Sequence, residues 1–514
     1  MFPNSPNPAD ANDWSRAGHG ALHAALGARR GRLLFGAVLV LLLLAPIPFG
    51  SVRSWAWALE LAVVCGLLAC LALSPKGLHA LRPYRGPLLL LAGVLSAAVG
   101  VSLLPPMSEA SAAAWRLLDG TAVGAVRPVQ SVTPFASLDH VARIGLYAAT
   151  FAVAVCLLTG ERRCRRLVTV VFATGLAVAV YGLYEHARGN QEILWYAREY
   201  RNTAGPFVSR NHFAHFVGLA MLCGVFLIDQ HLRRLLRRAS GSVYAALADP
   251  AVLAIGTAAA GVVVLCVALF LSSSRAATVI ALGALAFYIV ARRPWRRSGR
   301  WGMALLAAGI AIPPIYAAVV SVGARGVVWG RFADLLQHGG VRGELYATTL
   351  GLIRDNWLLG TGLGSFRDVF QQARGPDLAD FSLAAAHAHN EYLEMALELG
   401  VPLALLYFGA IAWLLTGLVR GVRQGERYAC LGAAVTALVA LHALVEFPTQ
   451  LPAISITLAA LVAACLQGSA IRLHRRRHRH AAGDDARPQQ AEAAARERYD
   501  AGVEGPTQPS ADRR

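Results

Sequence analysis

One short segment brings two imidazoles beside a carboxamide and a carboxylate: His387-Ala388-His389-Asn390-Glu391. A neutral imidazole can take a proton from a hydroxyl near physiological pH, which few other side chains do. The same spacing also suits a plain helix start, with Asn390 or His389 capping the turn that follows. Three more segments place cations near apolar runs. Gly205-Pro206-Phe207-Val208-Ser209-Arg210-Asn211-His212-Phe213-Ala214 offers Arg210 and His212 at a span entrance, where they could meet a lipid head group or simply anchor the interface. Ser272-Ser273-Ser274-Arg275 joins two long apolar runs, and an arginine there is costly unless it snorkels or meets a partner or an anionic ligand. Arg342 begins a stretch of helical periodicity, where a solvated face is the simpler account. Taken together they suggest one chemistry. Guanidinium groups grip a diphosphate bidentately and stabilise it as a leaving group without a metal, while a histidine activates an acceptor hydroxyl. Such a set suits glycosyl transfer from a lipid-diphosphate donor.

The elements that must position these residues are membrane spans. Hydrophobic residues make up 56% of the 514, and charged residues only 15%, against about a quarter in a soluble domain. Apolar runs near the roughly 20 residues needed to cross a bilayer occur at about 33–49, 55–73, 88–104, 141–158, 167–184, 212–230, 251–271, 276–291, 303–322, 401–419, 428–446 and 452–470. Arg29-Arg30-Gly31-Arg32 ahead of the first run resembles the start of an export signal. No small-residue cleavage site follows, however, and a second run opens at Trp55, so a retained span is expected. The net charge of +18 falls in clusters at every second loop, among them Arg162 to Arg166, Arg233 to Arg238, Arg292 to Arg300 and Arg472 to Arg479. That placement speaks against a nucleic-acid partner. It fits the positive-inside rule if twelve spans leave both termini in the cytoplasm of a bacterial inner membrane. The expected division is a cytoplasmic N-terminus 1–30, spans one to nine over 31–322, a large periplasmic loop 323–400, spans ten to twelve over 401–470, and a basic, then disordered tail 471–514.

Arginines placed outside run against this bias, so Arg210, Arg275 and Arg342 merit a function. Within the large loop, Leu345, Tyr346, Thr349, Leu350 and Ile353 recur at helical spacing from Val341 to Trp357. Gly360-Thr361-Gly362-Leu363-Gly364 follows as a turn that could also cradle a phosphate. A second helix is expected from Asn390 to Leu399, with Glu391, Glu394 and Glu398 along one face and Gly400 as its stop. None of the eight cysteines falls in an expected outer loop, so no disulfide framework or metal-type spacing is expected. Glu60 sits inside the second span without an evident partner.

These segments carry a family resemblance. HAHNEYLEMALELGVPLALL resembles the signature of the O-antigen ligase and O-antigen polymerase superfamily, and GPFVSRNHFAHF, LSSSRAATV and VRGELYATTLGLIRDNWLLGTGLGSF resemble further segments of it. The resemblance implies an all-α polytopic membrane protein of about twelve transmembrane helices with one large periplasmic loop containing amphipathic helices. It further implies a metal-independent glycosyltransferase that uses an undecaprenyl-diphosphate-linked glycan and no cofactor. His389 matches the catalytic histidine, and Arg275 and Arg342 match the diphosphate-contacting arginines, although Ala276 stands where the family often has glycine. Arg210 would help hold the donor, with His387, Asn390, His212 and Glu398 as support. His442 and Glu446 also look family-like, either as a helix-end cap or as part of the site. The acceptor is left open among lipid A-core, a growing polysaccharide and protein. A lipid-linked-glycan flippase or other transporter is the rival reading. Such proteins carry ionisable residues at mid-membrane, whereas here they collect at span ends.

Overall fold

The computed structural model describes residues 29–74, 77–107, 112–113, 115–116, 128–189, 192–197, 203–238, 249–292, 340–373 and 386–476, without side chains for 236–238 and 340–342. Among the described residues helices dominate, with one two-stranded hairpin, β1 Glu192–Ile193 and β2 Tyr196–Ala197. The helices are α1 (29–44), α2 Ser54–Ala72, α3 Arg85–Ser102, α4 Pro134–Leu157, α5 Glu161–Ala187, α6 Arg210–Arg238, α7 Pro250–Leu271 and α8 Arg275–Arg292. After the gap come α9 Gly340–Asp355, α10 Phe366–Ala373, α11 Glu391–Leu399, α12 Val401–Arg423, α13 Arg427–His442 and α14 Pro452–Arg476. Among the described residues, nine helices are long and apolar enough to cross a membrane. The chain is thus an all-α polytopic membrane protein.

Two expected spans are shorter than the sequence suggested. α1 stops at residue 44 because Pro46 and Pro48 follow and lack the amide that a helix needs, although the apolar run continues to Phe49. α13 is 16 residues long and ends at His442, after which the chain turns through Glu446 and Phe447. The expected ninth span, 303–322, lies outside the described residues. Cys164, inside the Arg162 to Arg166 cluster, is buried within α5.

α6 is the hub. It packs against α5, α7, α8 and α13, and 83% of its spanning window is buried, against 22% for α12. Small residues permit the close approach: a Cβ on Gly175 of α5 would stand 2.0 Å from that of Ala220. With no hydrophobic drive between helices in lipid, this intimacy of backbones is what holds them together. Facing outward, Leu253, Val263, Leu405 and Trp413 are exposed, as a lipid-facing surface requires.

The two ends of the bundle differ. At one, Asp229 meets Arg233 at 2.9 Å and Arg292 at 3.0 Å, Glu161 pairs with Arg472, and Arg292 donates to the Gly425 carbonyl. Arg233, Arg292 and Arg472, each from a different basic cluster read in the sequence, therefore gather at a single end with Glu161, which precedes a fourth. The other end carries α9 to α11 and the entrances of α6 and α8.

Candidate functional site

His389 lies in the turn before α11, with its backbone in the left-handed region at φ 49°, which a non-glycine residue adopts at some cost. Four hydrogen bonds hold that turn. Tyr346 of α9 donates to the His389 carbonyl at 3.0 Å. Asn390 caps α11, accepting from the amides of Tyr392 and Leu393 at 3.1 and 3.2 Å. The Glu391 amide donates to the Ala443 carbonyl at 2.8 Å. Asn390 is thus the helix cap, and capping aims His389 rather than competing with a role for it.

A hydrogen-bonded chain then joins this turn to both cationic entrances. His389 Nδ1 lies 3.2 Å from Glu446 Oε2. The other oxygen of Glu446 accepts from Asn211 Nδ2. Asn211 Oδ1 accepts from Ser274 Oγ at 2.7 Å. Asn211 follows Arg210, and Ser274 precedes Arg275, so the chain ends beside each arginine. Arg210 and Arg275 are the first residues of α6 and α8 and are exposed. Neither forms an ion pair with a described residue. The side chain of Arg342 lies outside the described residues, but its backbone opens α9, one turn before the Tyr346 that bonds His389.

Phe447 organises the imidazoles. His387 stacks on it at 3.8 Å between ring centroids, while His212 and His389 meet it edge-on at 4.9 and 5.5 Å. His212, expected at the outer face with Arg210, is only 4% exposed and walls the site from behind. His387 Nδ1 lies 2.8 Å from Glu394, which also accepts from the Ala388 amide and from Gln450. Burial alone would raise the Glu394 pKa, but the His387 imidazole and these hydrogen bonds outweigh it and hold the group below the usual range. Glu398 packs into the scaffold: burial and the nearby Glu394 push it up to about 8, and it accepts from the Phe366 amide at 3.0 Å. The glycine turn is therefore structural. Thr361 and Gly362 amides donate to the Leu397 and Glu398 carbonyls at 3.1 and 2.9 Å, which removes them from any phosphate cradle. Glu391, pushed up to about 8 by burial, is fastened to Thr449.

Sequence reasoning noted Glu446 but gave it no partner, and it missed Asn211, Ser274 and Phe447 as parts of one assembly. The available signal was a carboxylate at the end of an apolar run, close to hydrocarbon, where an ionisable group is rarely idle.

A polytopic helical membrane protein with a histidine, a carboxylate and exposed arginines gathered at one end of its bundle defines the class. A family model described as O-antigen ligase matches residues 260–408. The match supports the O-antigen ligase superfamily and covers Arg275, Arg342, His387, His389, Asn390 and Glu398. Arg210, Asn211, His212 and Glu446 lie outside it and join the site through the fold. No curated protein matches the chain.

Proposed function

We propose that this protein transfers an undecaprenyl-diphosphate-linked glycan to an acceptor hydroxyl at the periplasmic face of the bacterial inner membrane, as an O-antigen ligase-like enzyme or an O-antigen or exopolysaccharide polymerase. The observation that carries the reading is the chain from His389 through Glu446 and Asn211 to Ser274, which ties a base to two arginine-bearing helix starts. A carboxylate at Glu446 accepts from Nδ1–H of His389, leaving the Nε2 lone pair free to take a proton. The acceptor oxygen then forms a bond to the anomeric carbon as the bond from that carbon to the diphosphate oxygen breaks, inverting the centre. The acceptor proton goes to His389. Undecaprenyl diphosphate leaves with both electrons of the broken bond, its charge met by Arg275, Arg342 and Arg210. Because the leaving group is already a weak base, no general acid is demanded. An apolar cavity of about 240 Å³ beneath α11, walled by α3, α4, α12, α13 and α14, supports a substrate delivered from the bilayer.

The test is transfer by the purified protein in liposomes containing the lipid-linked glycan and candidate acceptors. His389→Ala is expected to lower the rate by about 10²–10⁴-fold, the usual worth of a general base, while EDTA leaves the wild-type rate unchanged. A variant as fast as wild type would remove His389 from this role.

A further inference from the structure

Glu60, the carboxyl that the sequence placed inside a span, belongs to none of this machinery. It is 6% exposed, and its Oε1 lies 2.5 Å from Ser51 Oγ. Ser51 Oγ also lies 2.7 Å from the Ala45 carbonyl. A hydroxyl has one proton to give, and a backbone carbonyl can only accept. Ser51 Oγ therefore shares its one proton between the Ala45 carbonyl and Glu60 Oε1. That engages Oε1 and leaves the second carboxyl oxygen, Oε2, without a partner among the described residues.

Glu60 lines a groove of about 440 Å³ between the outer halves of α1 and α2. Its walls are otherwise apolar, including Leu44, Trp55 and Leu59, which are 50%, 63% and 61% exposed. Trp195, on the tip of the β1–β2 hairpin, closes the upper end. Arg53 caps the start of α2, exposed, with its guanidinium 5.9 Å from the Phe49 ring. Seven residues separate Arg53 from Glu60, roughly 10 Å along the helix at 1.5 Å per residue. A plain hydrocarbon chain in the groove would leave Oε2 buried and unmet, which is unfavourable.

We propose that the α1–α2 groove binds a membrane lipid whose anionic head group meets Arg53 and whose chain carries a hydroxyl or amide N–H about 10 Å deeper, donated to Glu60 Oε2. The site recognises hydroxylated or amide-linked acyl chains over plain ones. It does not depend on the role given to His389.

The experiment is native mass spectrometry of the full-length protein with two anionic phospholipids of equal chain length, one 3-hydroxyacylated and one plain. Wild type is expected to retain the hydroxylated lipid about tenfold better, the upper end of what one net hydrogen bond gives. Glu60→Leu should bind both equally, Glu60→Gln should keep the preference, and Arg53→Gln should weaken both lipids. Equal retention by the wild type would overturn the proposal, and so would a preference that survives in Glu60→Leu. The wild-type comparison decides even if the leucine variant does not fold.

Discussion

The two ends of the bundle use the same residue types to opposite effect. At the basic end, Asp229 and Glu161 are saturated by arginines: Arg233 and Arg292 on one, Arg472 on the other, with Glu426 capping α13 through the Ala429 amide. Those charges close on each other and clamp α5, α6, α8 and α14. At the other end the carboxylates turn to histidines and amides, and Arg210 and Arg275 are left facing outward. Matched charges fasten helices; Arg210 and Arg275, held in register at helix starts, form no ion pair with a described residue. Where an arginine sits is less informative than whether its carboxylate has been taken by something else.

The comparison is most sharply broken by exchanging losses between the ends. Arg275→Gln is expected to raise KM for the lipid-diphosphate donor by an order of magnitude or more, since a hydrogen bond to a charged group is worth about 1.5–3 kcal/mol, with little change in Tm. Arg292→Gln should do the reverse, because it leaves Asp229 short of a partner in a half-buried setting. Equal KM effects from both would erase the distinction. Next in size, Glu446→Gln should lower kcat by about tenfold or more while sparing KM, since it acts on the His389 ring and touches no substrate. It is a positioning residue, so its pH–rate profile should shift with kcat; an unmoved profile would make the contact merely structural.

The smallest effect concerns pH. Glu391 and Glu398 are both raised to about 8 by burial, so the folded outer layer binds protons more tightly than the unfolded chain. Their contribution is complete below the unfolded value near 4.5 and is lost as pH rises through about 8. Glu394 runs the other way and favours the fold above its unfolded value. Thermal unfolding followed from pH 5 to 9 should therefore show a loss on the alkaline side. Glu391→Gln should flatten it, and an identical slope in that variant would count against the burial argument.

Most of the fold was legible because a bilayer admits few solutions: long apolar runs must be helices, and arginines sort their ends. What escaped was local. Hydropathy cannot see that Pro46 and Pro48 end α1 inside an apolar run, nor that α13 stops at His442 to leave Glu446 in a turn. Of the candidate site, His389 and the arginines at helix starts were named from residue type and from likeness, and Glu446 from likeness alone. The partners of Glu446 were not legible, because it lies 57 residues from His389 and 235 from Asn211, and a contact at that distance is a property of packing. His212 was misplaced for a related reason: a histidine two residues after an exposed arginine occupies a different face of the same helix, and Phe447 was waiting on that face.

The hydrogen-bonded chain through Ser274, Asn211, Glu446 and His389 has a consequence for synthesis. Its members leave the ribosome in the order 211, 274, 389, 446, so the histidine emerges well before the carboxylate that orients it. A nascent chain threaded into the membrane up to α12 already displays both arginines and the imidazole, yet its ring is free to swivel. Under the proposed function, transfer would have to await the insertion of α13 and the folding of the turn behind it, which carries Glu446. The last part to arrive completes the assembly.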